Sequence, residues 1–156
     1  MENLDYHLVH ANVAIIRAPL EDPRMADFVR QADELDALAQ ASAGFISQPT
    51  PEDDGSIFNH TRLLNLSIWE SVKALEIFTF GPEHGQALAR RTEWFIQYER
   101  PNYVLFWLPN SQQPTEKEVQ IRLNYLAQNG PTPYAFNFEK RFSIKEMLDY
   151  KTIGRE

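Results

Sequence analysis

The chain has no cysteine. That excludes disulfides, thiolate nucleophiles, zinc ribbons and thiolate ligation of haem. It agrees with a reducing compartment, and the cytoplasm is the expected location. No apolar run approaches the roughly 20 residues of a membrane span. The first ten residues, MENLDYHLVH, have neither a basic n-region nor an apolar h-region, so no signal peptide is read there. Basic residues are the minority, 15 Lys and Arg against 22 Asp and Glu, for a net charge of −7. A phosphate backbone or an anionic membrane surface wants the opposite sign, so neither nucleic acid nor membrane is an expected partner. G-x-S-x-G, H-E-x-x-H, a P-loop and a dinucleotide fingerprint are all absent, as are internal repeats and low-complexity segments.

What is present is apolar and aromatic. Hydrophobic residues make up 43% of the 156 positions, with ten Phe, six Tyr and three Trp, enough for a core and for the lining of a ligand cavity. The length suits one domain over residues 1–156, with its core in 7–109 and a C-terminal helix and arm in 114–150.

HLVHANVAII (7–16) alternates as a strand. Asp22-Pro23 opens a helix, whose stripe is Met25, Phe28, Val29, Ala32, Leu35 and Ala39, and Gly44 lies past its end. GFISQ (44–48) is a short strand, 49–56 a turn, and LLNLSIWE (63–70) a strand. Residues 71–80 and 82–97 read as a helix pair broken at Gly81-Pro82, and NYVLFWLP (102–109) is the most apolar strand. This βαββαβ order is ferredoxin-like, in the α+β class. Thr115 and Glu118 then cap a further helix that ends at Asn129-Gly130-Pro131, and 134–144 reads as an extended arm or edge strand.

Alternation assigns the strand faces. Leu64, Leu66 and Ile68 are expected to meet the helices, leaving Leu63, Asn65, Ser67 and Trp69 on the other side. His10 and Asn12 share a face with Leu8, Ala14 and Ile16. Tyr103, Leu105 and Trp107 oppose Val104, Phe106 and Leu108. A sheet this apolar on both faces meets water on neither. The expected cover for the non-helix face is a second copy, closing a dimeric α/β barrel. The polar groups on that face, His10, Asn12, Asn65, Ser67 and Tyr103 with the indoles Trp69 and Trp107, read as a substrate pocket for a hydrophobic small molecule. They read equally as interface groups satisfied within a dimer. His7 and His10 form H-x-x-H, but on a strand that spacing sends them to opposite faces.

RAPLEDPRMADFV (17–29), LLNLSIWES (63–71), H-x-x-x-L-x-R-R-x-E-W-F (84–95) and GPTPYAFNF (130–138) together resemble an uncharacterised family of dimeric α/β-barrel proteins. That family is related to antibiotic-biosynthesis, haem-degrading and spheroidene monooxygenases. The resemblance spans residues 7 to 142 and implies a homodimer. Haem-degrading members use an Asn on the first strand, a Trp on the third and a His on the following helix, and Asn12, Trp69 and His84 stand in that order here. The resemblance therefore implies catalytic roles for these three. His84 falls in the first turn of its helix, where the dipole favours the neutral imidazole that iron needs and Glu83 opposes it. Leu88, Arg91 and Phe95 continue its face, flanked by Arg90 and Trp94. His84 on iron, Arg90 and Arg91 on propionates and Trp94 on the ring would hold haem, with no other metal expected. The simpler and favoured reading of this helix is structural: His84 caps or packs at the helix start, the arginines pair with Glu83, Glu93 or the partner chain, and Trp94 and Phe95 are core.

Three functions follow as expectations. The first is monooxygenase-like oxidation of a hydrophobic or aromatic molecule in a cavity between sheet and helices, with haem as the candidate cofactor. The second is a non-catalytic ligand-binding or interaction module. The third is a cofactor-free cyclase or isomerase with His10 or His84 as base.

Overall fold

The computed structural model describes residues 5–49, 62–81, 91–96 and 101–150, with the side chains of Arg91 and Thr92 left out. Strand β1 spans Tyr6–Ile16. Asp22 follows, its carboxylate accepting the Arg24 N–H at 2.9 Å to cap a 3₁₀ turn at Pro23–Met25. That turn leads into α1, Ala26–Gln40. Gly44 then reverses the chain at φ +85°, a left-handed conformation that a side chain resists. Strand β2 is Phe45–Ser47, β3 is Arg62–Trp69 and α2 is Val72–Thr79, capped by the Ser71 hydroxyl. A helical turn at Arg91–Trp94 runs directly into β4, Phe95–Ile96. Strand β5 is Tyr103–Pro109, α3 is Glu116–Asn129 and α4 is Ile144–Asp149.

The long strands lie in the order β2-β3-β1-β5, each antiparallel to its neighbour, and β4 adds a two-residue ladder to the end of β1. This is the ferredoxin-like arrangement, with the first strand in the middle of the sheet.

Three expectations are corrected. The helix read over 82–97 stops short of its end, because Phe95 and Ile96 pair with Ile16 and Ile15 as a strand. Residues 134–144 do not form a ladder. They meet β5 at a single bridge, where Leu105 and Phe136 exchange backbone hydrogen bonds at 2.8 and 2.9 Å. The chain then enters α4, where Ser143 and Glu146 form a full capping box.

The third correction concerns the faces. Val9, Ala11, Val13, Leu66, Ile68, Val104, Phe106 and Leu108 pack against Val119, Leu123 and Leu126 of α3. Leu8, Trp69, Leu105 and Trp107 pack against Ala39, Leu75 and the C-terminal Phe136 and Ile144. The face carrying His10, Asn12, Asn65, Ser67 and Tyr103 is therefore the α1/α2 face, and the opposite face is covered by α3 of the same chain. Strand alternation assigns residues to two sets but does not say which set a helix reaches.

Helix α3 is seated by Arg122, whose side chain is 7% exposed. Its guanidinium meets Glu118 at 2.9 Å and donates to the Tyr134 carbonyl at 2.7 Å. It also stacks on the Phe106 and Tyr134 rings at 4.3 and 4.1 Å.

Candidate functional site

On the α1/α2 face the described core residues fall into two clusters. At one end Leu8 lies between Trp69 and Trp107 in register, beneath Leu75 and Phe136. At the other end Ile16, Met25 and Trp94 form a second cluster with Phe28, Leu63 and Phe95. Between them run two cross-strand rows that hold the polar residues. One is Ser67–His10–Leu105 and the next is Asn65–Asn12–Tyr103. Cross-strand neighbours on one face stand about 5 Å apart, so these side chains converge on one patch. We call it the polar belt.

Exposure rises across the belt. Ser67 is buried, His10, Asn12 and Tyr103 are half-buried, and Asn65 is exposed. Tyr103 is fixed from the arm: its hydroxyl accepts the Phe138 N–H at 3.1 Å, and the two rings lie 5.7 Å apart. Burial pushes its phenol above the usual tyrosine value, against the pull of the Phe138 hydrogen bond. Its other side faces the His10 ring at 5.9 Å. The belt thus offers an imidazole, a phenol, two amides and a hydroxyl within an apolar surround. It can hydrogen-bond a small molecule and exchange a proton with it.

The structure brings together His10, Asn12, Asn65, Ser67 and Tyr103. The three tryptophans sit apart in packing positions. Trp69 is fully buried between Phe45 and Phe78, with its indole N–H donated to Ser67 at 2.9 Å. Trp107 is 7% exposed and donates to the Phe142 carbonyl at 2.8 Å. Trp94 is 2% exposed, in the cluster beyond the belt. His84, Arg90 and the Arg91 side chain lie outside the described residues. Trp69 and Trp94 are both packed into the core of the described residues. No group of three potential metal ligands occurs among the described residues.

Sequence reasoning missed two features. One is the Gln31 side chain on α1, whose Oε1 is buried with no hydrogen-bond partner. Helical spacing puts Gln31 beside the apolar stripe, on the side expected to be mostly solvated, so the sequence carried no signal for its burial. The other is a recess of about 140 Å³ on the α3 face, lined by His7, Ile46, Ser47, Asn110, Gln112 and others. Adjacent residues of β2 both reach it because the register shifts by a bulge between Phe45 and Ser47. The recess and the belt are rival sites. The belt is the stronger, because its polar groups converge within the hydrophobic face, whereas Asn110, Gln112 and Gln113 at the recess are solvent-exposed.

A family model matches residues 7–152, described as Domain of unknown function (DUF3291). The chain belongs to this family. Its matched span takes in the sheet, both covering helices and the arm, so the belt and α3 both fall within it. No curated protein matches the chain. Solved structures similar to this family member include SnoaB, a cofactor-independent oxygenase from Streptomyces nogalater. It is 14% identical, with 72% of this chain and 98% of that one covered and a TM-score of 0.48. A proposed antibiotic biosynthesis monooxygenase from Caulobacter crescentus is 18% identical over 71% and 97%, with a TM-score of 0.48. A conserved protein from Methanosarcina mazei is 11% identical over 69% and 94%, with a TM-score of 0.49. No helix among the described residues is long and apolar enough to cross a membrane.

Proposed function

We propose that the chain binds a hydrophobic or aromatic small molecule over the polar belt and oxidises it in a monooxygenase-type reaction. His10 is the acid–base group, and Asn12, Asn65, Ser67 and Tyr103 orient the substrate. The observation that carries this is the convergence of five polar side chains on two adjacent cross-strand rows of the α1/α2 face, with apolar clusters at either end among the described residues.

The chemistry balances for a substrate CH₂ made acidic by flanking aromatic or carbonyl groups. His10 removes a proton, and the carbanion gives its electrons to dioxygen. One oxygen atom stays as C=O and the other leaves as water, so the substrate supplies all the electrons. The amides and phenol stabilise the negative charge as it forms. Homodimerisation belongs to the same proposal. Ile77 on α2 and Phe80 just past its end are 66% and 63% exposed, apolar area that a second copy would bury.

The test is oxygen uptake with a panel of hydroxylated polycyclic aromatics, using wild type, His10→Ala, Asn12→Ala and His84→Ala. Loss of substrate-dependent uptake on changing His10 or Asn12, with the fold retained, is the expected result. Full turnover in His10→Ala would remove it as the base, and loss only in His84→Ala would move the chemistry to that histidine. A second reading, ligand binding without turnover, is favoured by Tyr103, whose hydroxyl is already engaged by the arm. It predicts thermal stabilisation by the same compounds with no oxygen uptake. Turnover without oxygen uptake would instead indicate a cyclase or isomerase.

A further inference from the structure

The C-terminal arm runs along the β5 side of the belt. Phe136 is fully buried and exchanges two backbone hydrogen bonds with Leu105, in the His10 row. Phe138 then meets Tyr103, in the Asn12 row, through its N–H and its ring. The Phe138 ring also packs edge-on against Phe80 at the end of α2, with ring centres 5.3 Å apart. Phe138 therefore bridges α2 and β5 beside the half-buried Tyr103.

The chain is anchored again at Phe142, whose carbonyl accepts the Trp107 indole N–H and whose ring packs on Phe136. Residues 137–141, between the two anchors, are bonded to one another. Asn137 Oδ1 accepts the Glu139 and Lys140 N–H groups, each at 3.0 Å, and Arg141 Nε donates to the Phe138 carbonyl at 3.0 Å. These bonds lie inside the turn and survive if it swings outward. Its ties to the body are the Phe138 N–H on the Tyr103 hydroxyl, the Phe138 ring contacts, and an ion pair of Arg141 with both Glu76 oxygens at 3.2 and 2.7 Å. That pair stands in solvent, its side chains 37% and 31% exposed. A neutral hydrogen bond or an exposed ion pair each favours a closed state by a factor of only about two to ten.

We infer that residues 137–141 are a flap on the β5 side of the belt, hinged at Phe136 and Phe142 and latched to α2 by Arg141 and Glu76, whose opening sets how fast the small molecule enters and leaves. This rests on the proposal above that the belt binds such a molecule, and adds how passage to that site is regulated. Neither latch residue belongs to the belt, so the latch governs passage rather than affinity. Loosening it speeds entry and exit alike and leaves the dissociation constant unchanged.

The test reads the flap with and without ligand, in wild type, Glu76→Ala, Arg141→Ala and the double variant. In the free protein, hydrogen exchange of the Phe138 amide reports opening. With 2-naphthol as the probe, stopped-flow fluorescence gives the association and dissociation rates, and amide NMR shows whether the belt is contacted. Each single variant should speed Phe138 exchange about two- to fivefold and raise both ligand rates by the same factor. The double variant should add nothing further, since either substitution breaks the same pair. Because the chain has no cysteine, Glu76→Cys with Arg141→Cys can be joined at those two positions alone by a short bismaleimide. The joined form should exchange ligand more slowly than wild type. Unchanged Phe138 exchange in both single variants, faster exchange with unchanged ligand rates, or a joined form that binds as fast as wild type would each overturn the flap and leave the belt as the site. Belt amides unmoved by 2-naphthol would remove the belt, and the flap's role with it.

Discussion

Replacing Arg122 tests how the α3 face is closed. Arg122→Ala strips Glu118 of its cation, leaves the Tyr134 carbonyl without its donor, and removes the guanidinium stacked on Phe106 and Tyr134. Removing one partner of a buried ion pair costs about 3–5 kcal/mol, largely because the other partner stays desolvated. Glu118 is 26% exposed, so water recovers part of that, while the orphaned carbonyl adds about 1–3 kcal/mol. The expected loss is about 4 kcal/mol, a large share of the roughly 5–15 kcal/mol typical of a domain. Urea unfolding followed by tryptophan fluorescence should show a lower midpoint at unchanged slope. The double variant Glu118→Met with Arg122→Met leaves no unpaired charge and keeps the stems on the rings, so it should lose less than Arg122→Ala alone. A loss below about 1 kcal/mol for Arg122→Ala would show that α3 is not held on the sheet through this residue.

Two further outcomes follow from local geometry. A Cβ at Gly44 would lie 2.5 Å from the Ala74 Cβ, on a backbone already at φ +85°. Gly44→Ala should therefore cost about 3 kcal/mol in chemical denaturation, and a loss under about 1 kcal/mol would contradict this packing of α2 on the β2 turn. The Arg141 hydrogen bonds hold the Glu76 carboxyl below its usual value near 4.5. Its contribution to stability is therefore present above pH 4.5 and is lost as pH falls through the lowered folded value. The melting-temperature gap between wild type and Glu76→Gln should close over that acid range and narrow in high salt, and a gap independent of pH would refute the pairing.

Local chemistry was readable from the sequence where it acts within a few residues. Asp22-Pro23 opens a helical segment, the Thr115 hydroxyl accepts the Glu118 N–H, and Gly44 takes a positive φ. Strands β1, β3 and β5 fall within a residue of their expected limits, because alternation and β-branching are strong over that length. What was not readable depends on distant partners. Phe95 and Ile96 carry a helical pattern, yet form a strand because the end of β1 is there to pair with them. A two-sided apolar sheet is consistent with a cover from a second copy or from the same chain, and only the path of α3 decides. The Ser143–Glu146 capping box was legible, but the alternation of 134–144 masked it. For the site, alternation grouped His10, Asn12, Asn65, Ser67 and Tyr103 correctly on one face. The packing of Trp69 between two phenylalanines, and the burial of the Gln31 amide oxygen, needed helix positions that spacing does not give.

The central place of β1 has a consequence for synthesis. Among the strands of this sheet it is made before its neighbours, and its two edges are claimed by β3 and β5, which follow about 50 and 100 residues later. At roughly 5–20 residues per second, a ribosome takes roughly 5–20 s to supply the second neighbour. Throughout that interval an apolar strand with open backbone groups is exposed to other nascent chains. The sheet closes from its middle only when β5 arrives, so the chain must complete its oldest strand last.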